Sequence, residues 1–139
     1  MTRFRPLSKA GVVVDKRLGE IPSFKGSGDL FRQLLSNLVV NSRDSMASGG
    51  KLVIRTREIR SSDGFRRWIS LSVADTGCGI SPEIQKSMFE PFVTTKGGKG
   101  TGLGLWIVKG IVENHNGRIR VRSAVGKGTV INLMFPISA

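Results

Sequence analysis

Trp68-Ile69-Ser70-Leu71-Ser72-Val73-Ala74-Asp75-Thr76-Gly77-Cys78-Gly79 decides the fold. Its first part alternates large apolar with small residues at period two, the pattern of a strand with one covered face. Ile69, Leu71, Val73 and Asp75 share that face, so a carboxylate emerges at the strand end, aimed at the covered side. A buried carboxylate is costly unless it accepts hydrogen bonds. Gly77 and Gly79 carry no Cβ, which lets the following loop approach a flat ligand closely. A strand ending in an ordinary turn fits the same residues.

Upstream, a polar hairpin at residues 61–64 leads back to the strand Leu52-Val53-Ile54. Before it, the turn Gly26-Ser27-Gly28-Asp29 offers Asp29 as a helix N-cap, and the helix runs to about Met46, where Ser48-Gly49-Gly50 stops it. Residues 7–18, centred on Val12 to Val14, read as an entry strand. Downstream, Ser81-Pro82-Glu83 opens a short helix, and residues 93–102 are polar and glycine-rich. A second long helix covers residues 103–115 and closes at Asn116-Gly117. Strands at 119–123 and 129–135 meet at Val125-Gly126-Lys127-Gly128. Helices interleaved with strand pairs predict a two-layer α/β sandwich, one mixed sheet with helices on one face.

The 139 residues suffice for one domain, with a core predicted from about 11 to 136, and 39% are hydrophobic. No run approaches the ~18 apolar residues of a membrane span. A single cysteine excludes an internal disulfide and predicts a cytoplasmic setting. The net charge is +12, from 22 basic against 10 acidic residues, which favours polyanionic partners. Yet Arg55, Arg57, Arg118, Arg120 and Arg122 alternate along strands, as on the solvated face of a half-covered sheet. No recognition-helix pattern or stacking aromatics accompany them, so no nucleic-acid partner is expected.

Three constellations carry chemistry. On the first helix, Phe31, Leu34, Leu35, Leu38 and Val39 form the core arc, while Asn37, Asn41 and Asp44 lie beside it at i, i+4 and i+7. Amides at a core boundary suit a magnesium–phosphate site, since they give oxygen donors without neutralising the cation. An ordinary solvated stripe fits this spacing equally well. At the strand end, the exocyclic amine of adenine offers the bond that Asp75 requires. The stretch Gly97-Gly98-Lys99-Gly100-Thr101-Gly102-Leu103-Gly104-Leu105 then runs straight into the second helix, where backbone amides bind phosphate well; Lys96 and Lys99 add charge. It is not a P-loop, because Lys99 precedes glycine rather than serine or threonine. It is not a dinucleotide fingerprint, because no strand leads directly into it. Between these, Phe89-Glu90-Pro91-Phe92 places two aromatics that can anchor a mobile loop to the core.

In this order, the four segments resemble the N, first glycine, F and second glycine boxes of histidine-kinase catalytic domains, of the superfamily shared with gyrase, mismatch-repair ATPases and the large heat-shock chaperone. Asn37-Leu38-Val39-Val40-Asn41-Ser42-Arg43-Asp44 is similar to the nitrogen-regulation type of sensor kinase. The resemblance implies the Bergerat ATP-binding fold, ATP and magnesium as cofactors, and transfer of the γ-phosphoryl group to a histidine. That histidine would sit on a separate dimerisation hairpin, itself upstream of a response regulator. It implies magnesium coordination by Asn41 and a phosphate–magnesium contact by Asn37. Asp75 would accept from the adenine amine, with Gly77 and Gly79 at the base. Residues 96–102 would form a lid, with phosphate contacts from Lys96, Lys99, Gly100, Thr101, Gly102, Leu103 and Gly104. Thr129 would support Asp75 directly or through water. Hydrolysing members carry a glutamate where Asn37 stands; an amide cannot take a proton, which favours kinase over ATPase. Asp44 departs from the pattern, standing where many sensor kinases place a lysine. Lone His115 lies in line with Ile111 on the apolar arc and is expected to be structural. A nucleotide-binding regulatory module and an anti-sigma-type serine kinase are the alternatives on this fold.

Overall fold

The computed structural model describes residues 2–6, 11–19, 28–91 and 104–137. Its elements are β1 (Thr2–Pro6), β2 (Val12–Leu18), α1 (Gly28–Asp44), β3 (Gly50–Arg60), β4 (Arg67–Asp75), α2 (Pro82–Gln85), α3 (Gly104–Asn114), β5 (Arg118–Ala124) and β6 (Gly128–Pro136). The six strands form one sheet in the order β1-β2-β3-β4-β6-β5. Only β2 and β3 pair in parallel, as the crossover through α1 requires; the other neighbours are antiparallel. The sheet is therefore mixed, as expected. β6 returns from the edge strand β5 to lie against β4, which brings the end of β4 and the start of β6 side by side.

One sheet face holds the core. Val12, Val14, Leu52, Ile54, Val73, Ile131, Leu133 and Phe135 meet Leu34 and Leu38 of α1 and Val108, Ile111 and Val112 of α3, each at most 6% exposed. The predicted arcs of both helices thus face the sheet. Lys109 and Glu113 point outward, 3.8 Å apart. His115 packs beside Phe31 and Phe135, with ring centroids 4.8 and 6.4 Å away, and its Nδ1 donates to the Ile111 carbonyl at 2.7 Å. It is a core-edge residue committed to packing.

Two local expectations change, and one strand was not foreseen. α1 begins at Gly28, so Asp29 lies inside its first turn and pairs with Arg32 at 2.9 Å rather than capping it. The entry strand starts at Val12, and residues 7–10 lie outside the described set. β1 was not legible: five residues with a single large apolar side chain and a terminal proline are too short to declare a strand. Their pairing with β2 supplies the order. At the other end of the sheet, Glu58 accepts from Arg67 and from Arg60. Those two bonds, Arg67 first, hold its carboxyl below the usual carboxylate range. Among the described residues, no helix is long and apolar enough to cross a membrane.

Candidate functional site

Strand register builds the site. Leu52, Asp75, Thr129 and Ser123 stand in one row across β3, β4, β6 and β5, all on the helix-covered face. Asp75 is 8% exposed. Its Oδ1 accepts the Gly77 N–H at 2.9 Å, the only hydrogen bond the carboxylate receives among the described residues. A nearly buried carboxylate with one oxygen tied and the other unpartnered is an acceptor held ready for a donor from outside.

The loop after Asp75 is clamped on both sides. Cys78 N–H donates to the Ser45 carbonyl just past α1 at 3.1 Å, and its own carbonyl accepts from Gly126 N–H in the β5–β6 turn at 2.7 Å. Close approach explains both glycines. A Cβ at Gly77 would lie 2.2 Å from Ser45 Oγ. At Gly79, where φ is +77°, it would lie 2.1 Å from the Ala124 carbonyl oxygen. The chain's own packing thus demands glycine at these two positions, quite apart from any ligand.

Thr129 is 5% exposed, and its Oγ1 lies 2.8 Å from Ser123 Oγ; no direct bond joins it to the Asp75 carboxylate. Ser123 Oγ also accepts the Ile80 N–H at 2.7 Å and reaches the Gly128 carbonyl at 3.0 Å. Gln85 Nε2 then ties the Ile80 carbonyl at 2.8 Å. Ser123 is therefore the hub that fixes the loop, and with it Thr129, beside Asp75. Sequence reasoning missed it. The available signal was its inward place in the alternation Ile119-Val121-Ser123, six residues before Thr129 around a tight turn. Ser123→Ala should leave the Ile80 N–H without its acceptor, at a cost of about 1–3 kcal/mol. A thermal melt is expected to fall by about 3–10 °C; an unchanged melt would show that the hub carries no stability.

α1 runs from this loop to the start of α3. Ser45 touches the loop, Asn41 lies one turn before Ser45, and Asn37 one turn before that. Asn37 Nδ2 donates to the Gly104 carbonyl at 3.4 Å, a long bond that joins α1 to the first residue of α3. At 1.5 Å per residue, Ser45 to Asn37 spans about 12 Å. The Asn41 amide has no partner among the described residues, and Asp44 is exposed. The structure thus sets Asp75, Asn41, Asn37 and Gly104 in sequence along one helix, which the spacing within α1 alone did not decide. Lys96, Lys99, Gly100, Thr101, Gly102 and Leu103 lie outside the described residues. Of the expected aromatic anchors, Phe89 packs against the core beside buried Met88; Phe92 is also outside the described residues.

Known proteins resemble this chain in sequence and in fold. The family model described as histidine kinase-, DNA gyrase B-, and HSP90-like ATPase matches residues 26–139. Sensor kinase CckA of Brucella abortus is 42% identical over 116 residues, covering 76% of this chain and 12% of its own length. Signal transduction histidine-protein kinase AtoS of Escherichia coli is 36% identical over 119 residues, covering 86% of this chain and 19% of its own. The chain thus spans under a fifth of the length of these relatives. Among solved structures, the mycobacterial sensor histidine kinase MprB superposes with a TM-score of 0.73 at 27% identity, covering 89% of this chain and 82% of that one. Full-length ShkA, solved in complex with AMPPNP, gives 0.76 at 26% identity, covering 94% of this chain and 27% of that one. The chain belongs to the histidine kinase-, DNA gyrase B- and HSP90-like ATPase family, as a catalytic domain of the sensor-histidine-kinase kind.

Proposed function

We propose that this domain binds ATP with magnesium and transfers the γ-phosphoryl group to a histidine on a separate dimerisation domain, in the cytoplasm, upstream of a response regulator. The observation that carries the reading is the Asp75 carboxylate, 8% exposed, with one oxygen held by Gly77 N–H and the other without a partner among the described residues. It accepts from the adenine amine, and Gly77, Gly79 and Thr129 shape the wall around the base. The order along α1 then carries the nucleotide from base to phosphate, past Asn41 and Asn37 to the amide end of α3 at Gly104. Lys96, Lys99, Gly100, Thr101, Gly102 and Leu103 complete the phosphate side.

Magnesium fits these residues. Asn41 offers a neutral amide oxygen that no protein group occupies among the described residues, the donor type a hard cation takes alongside phosphate oxygens. Bound there, the ion supplies charge neutralisation at the phosphates. Asn37 makes the choice between transfer and hydrolysis. Its amide cannot act as a general base, so water is left unactivated, whereas a neutral imidazole is nucleophilic without help. Positioning and electrostatics supply the remaining catalysis.

The test incubates the domain with γ-labelled ATP, magnesium and a panel of histidine-bearing hairpin domains from sensor kinases. Acid-labile label on a hairpin is expected, with Asn41→Ala slowing transfer by about 100-fold, the scale of one lost transition-state contact. Normal ATP binding with no labelled hairpin would leave a binding module instead. Acid-stable label would indicate a serine kinase.

A further inference from the structure

The sheet face opposite the helices carries a feature that nucleotide chemistry does not use. Arg55 and Arg57 project from β3, and Arg118, Arg120 and Arg122 from β5, all exposed. Among the described residues, none makes an ion pair or a side-chain hydrogen bond. Other arginines of this sheet behave otherwise: Arg17, beside Arg55 in the register, is held by Asp15 at 3.0 Å, and Arg67 and Arg60 share Glu58. Five cations on one face with no partner among the described residues repel one another, a cost that an external anion would relieve. Charges on an edge strand guard against strand pairing, which would account for β5. That does not account for Arg55 and Arg57, because β3 is interior, between β2 and β4.

The register shows what the two sets enclose. Arg57, Ser70, Met134 and Arg118 stand in one row across the sheet, and Arg55, Ser72, Asn132 and Arg120 in the next. Between the arginines lie Ser70 and Met134 in one row and Ser72 and Asn132 in the other. Asn132 Nδ2 donates to both Ser70 Oγ and Ser72 Oγ at 2.8 Å, which draws the floor together, and Ser70 is 2% exposed beneath its neighbours. β3 and β5 are three strand spacings apart, so the two ridges stand about 14 Å from each other at about 4.8 Å per spacing. An α-helix with its side chains is about 10–12 Å across. The trough therefore has the width of one helix, a floor of serine, asparagine and methionine side chains, and a pair of guanidinium groups on each flank.

We infer that this face is a docking surface for an acidic α-helix of a partner protein, laid along the strands between the two arginine ridges. Charge selects the occupant. A second copy of this chain is excluded by its own +12 charge. A helix with Asp and Glu on both flanks and small residues along its centre complements ridge and floor together. A bilayer surface or a flexible polyanion would meet the ridge tips without filling the floor. The inference is independent of the ATP reading, since none of these residues belongs to that site.

The probe is a 20-residue, alanine-centred helical peptide with glutamates on both flanks, measured by fluorescence anisotropy against the whole chain. A same-composition peptide with prolines that prevent a helix, phosphatidylserine vesicles and an oligothymidine are run beside it. The helical peptide should bind at least about tenfold more tightly than the proline peptide, and more weakly at about 300 mM salt than at about 50 mM. Arg55→Ala and Arg120→Ala, one from each ridge, should each weaken binding about twofold to fivefold and together about tenfold. Arg32→Ala on α1 should change nothing. Unaltered melting curves and ATP affinity confirm that the variants fold, and Arg55→Lys and Arg120→Lys serve where alanine destabilises. Equal binding of both peptides, tighter binding of vesicles or oligothymidine, or indifference to both ridge variants would overturn the inference.

Discussion

Asp75→Asn should bind ATP at least about 100-fold more weakly than the parent domain while melting close to it. The wild-type carboxylate has two acceptor oxygens, one on Gly77 N–H at 2.9 Å and one for the ligand. Asparagine has a single acceptor. The loop needs that oxygen for Gly77, so the Nδ2 group turns toward the base, where it meets the adenine amine as donor against donor. A hydrogen bond to a charged group is worth about 1.5–3 kcal/mol, and a buried unsatisfied donor costs about 1–3 kcal/mol more. Together these exceed about 3 kcal/mol, or two factors of ten at 1.4 kcal/mol each. The same donor suits the keto oxygen of guanine, so the preference for ATP over GTP should narrow. Calorimetric titration of both nucleotides checks this. An ATP affinity within about threefold of wild type would remove Asp75 from the base site.

Gly79→Ala should be the most damaging conservative change in the loop, and Gly126→Ala is its control. Both glycines hold positive φ, +77° and +80°, and both lose about 1–2 kcal/mol when an L side chain is placed there. They differ in space. At Gly126 a Cβ meets nothing within 4 Å, whereas at Gly79 it would stand 2.1 Å from the Ala124 carbonyl oxygen. That contact cannot be relieved by rotating a side chain, because its partner is backbone. The loop must therefore move off the β5–β6 turn, disturbing the Cys78–Gly126 bond and the Ile80–Ser123 bond with it. Gly126→Ala should lower the melting temperature by about 3–8 °C and Gly79→Ala by about 10 °C or more. Gly79→Ala should also weaken nucleotide binding, since Asp75 is held from the same loop. Equal melting temperatures would show that the clamp between loop and turn is not tight.

The layered fold was legible because its strands alternate cleanly and both long helices keep an apolar arc from end to end. Asp75 was legible for the same reason, since period two alone turns it to the covered face. The pairing of β6 with β4 rather than with β5 alone was not, and the site depends on it. Nothing near residue 129 in sequence says that Thr129 will stand opposite Asp75. Ser123 stayed hidden because a serine at a strand end reads as solvated until the hairpin is folded. The amides of α1 were legible as a stripe but not as a site. Their meaning comes from what lies at each end, Ser45 against the Asp75 loop and Gly104 against Asn37. Gly77 and Gly79 were read as room for a ligand, yet their nearest neighbours are Ser45 and Ala124, which no local pattern reveals.

Backbone amide chemical shifts, followed by NMR while ATP and magnesium are titrated into the whole chain, test the placement of the nucleotide most directly. The largest changes are expected at Gly77, Cys78 and Gly79, at Asn37 and Asn41 of α1, and at Gly104. The β3 and β5 amides of Arg55, Arg57, Arg118 and Arg120 should stay still. Changes confined to that opposite face, or a loop around Asp75 that does not respond at saturating ATP, would contradict the site.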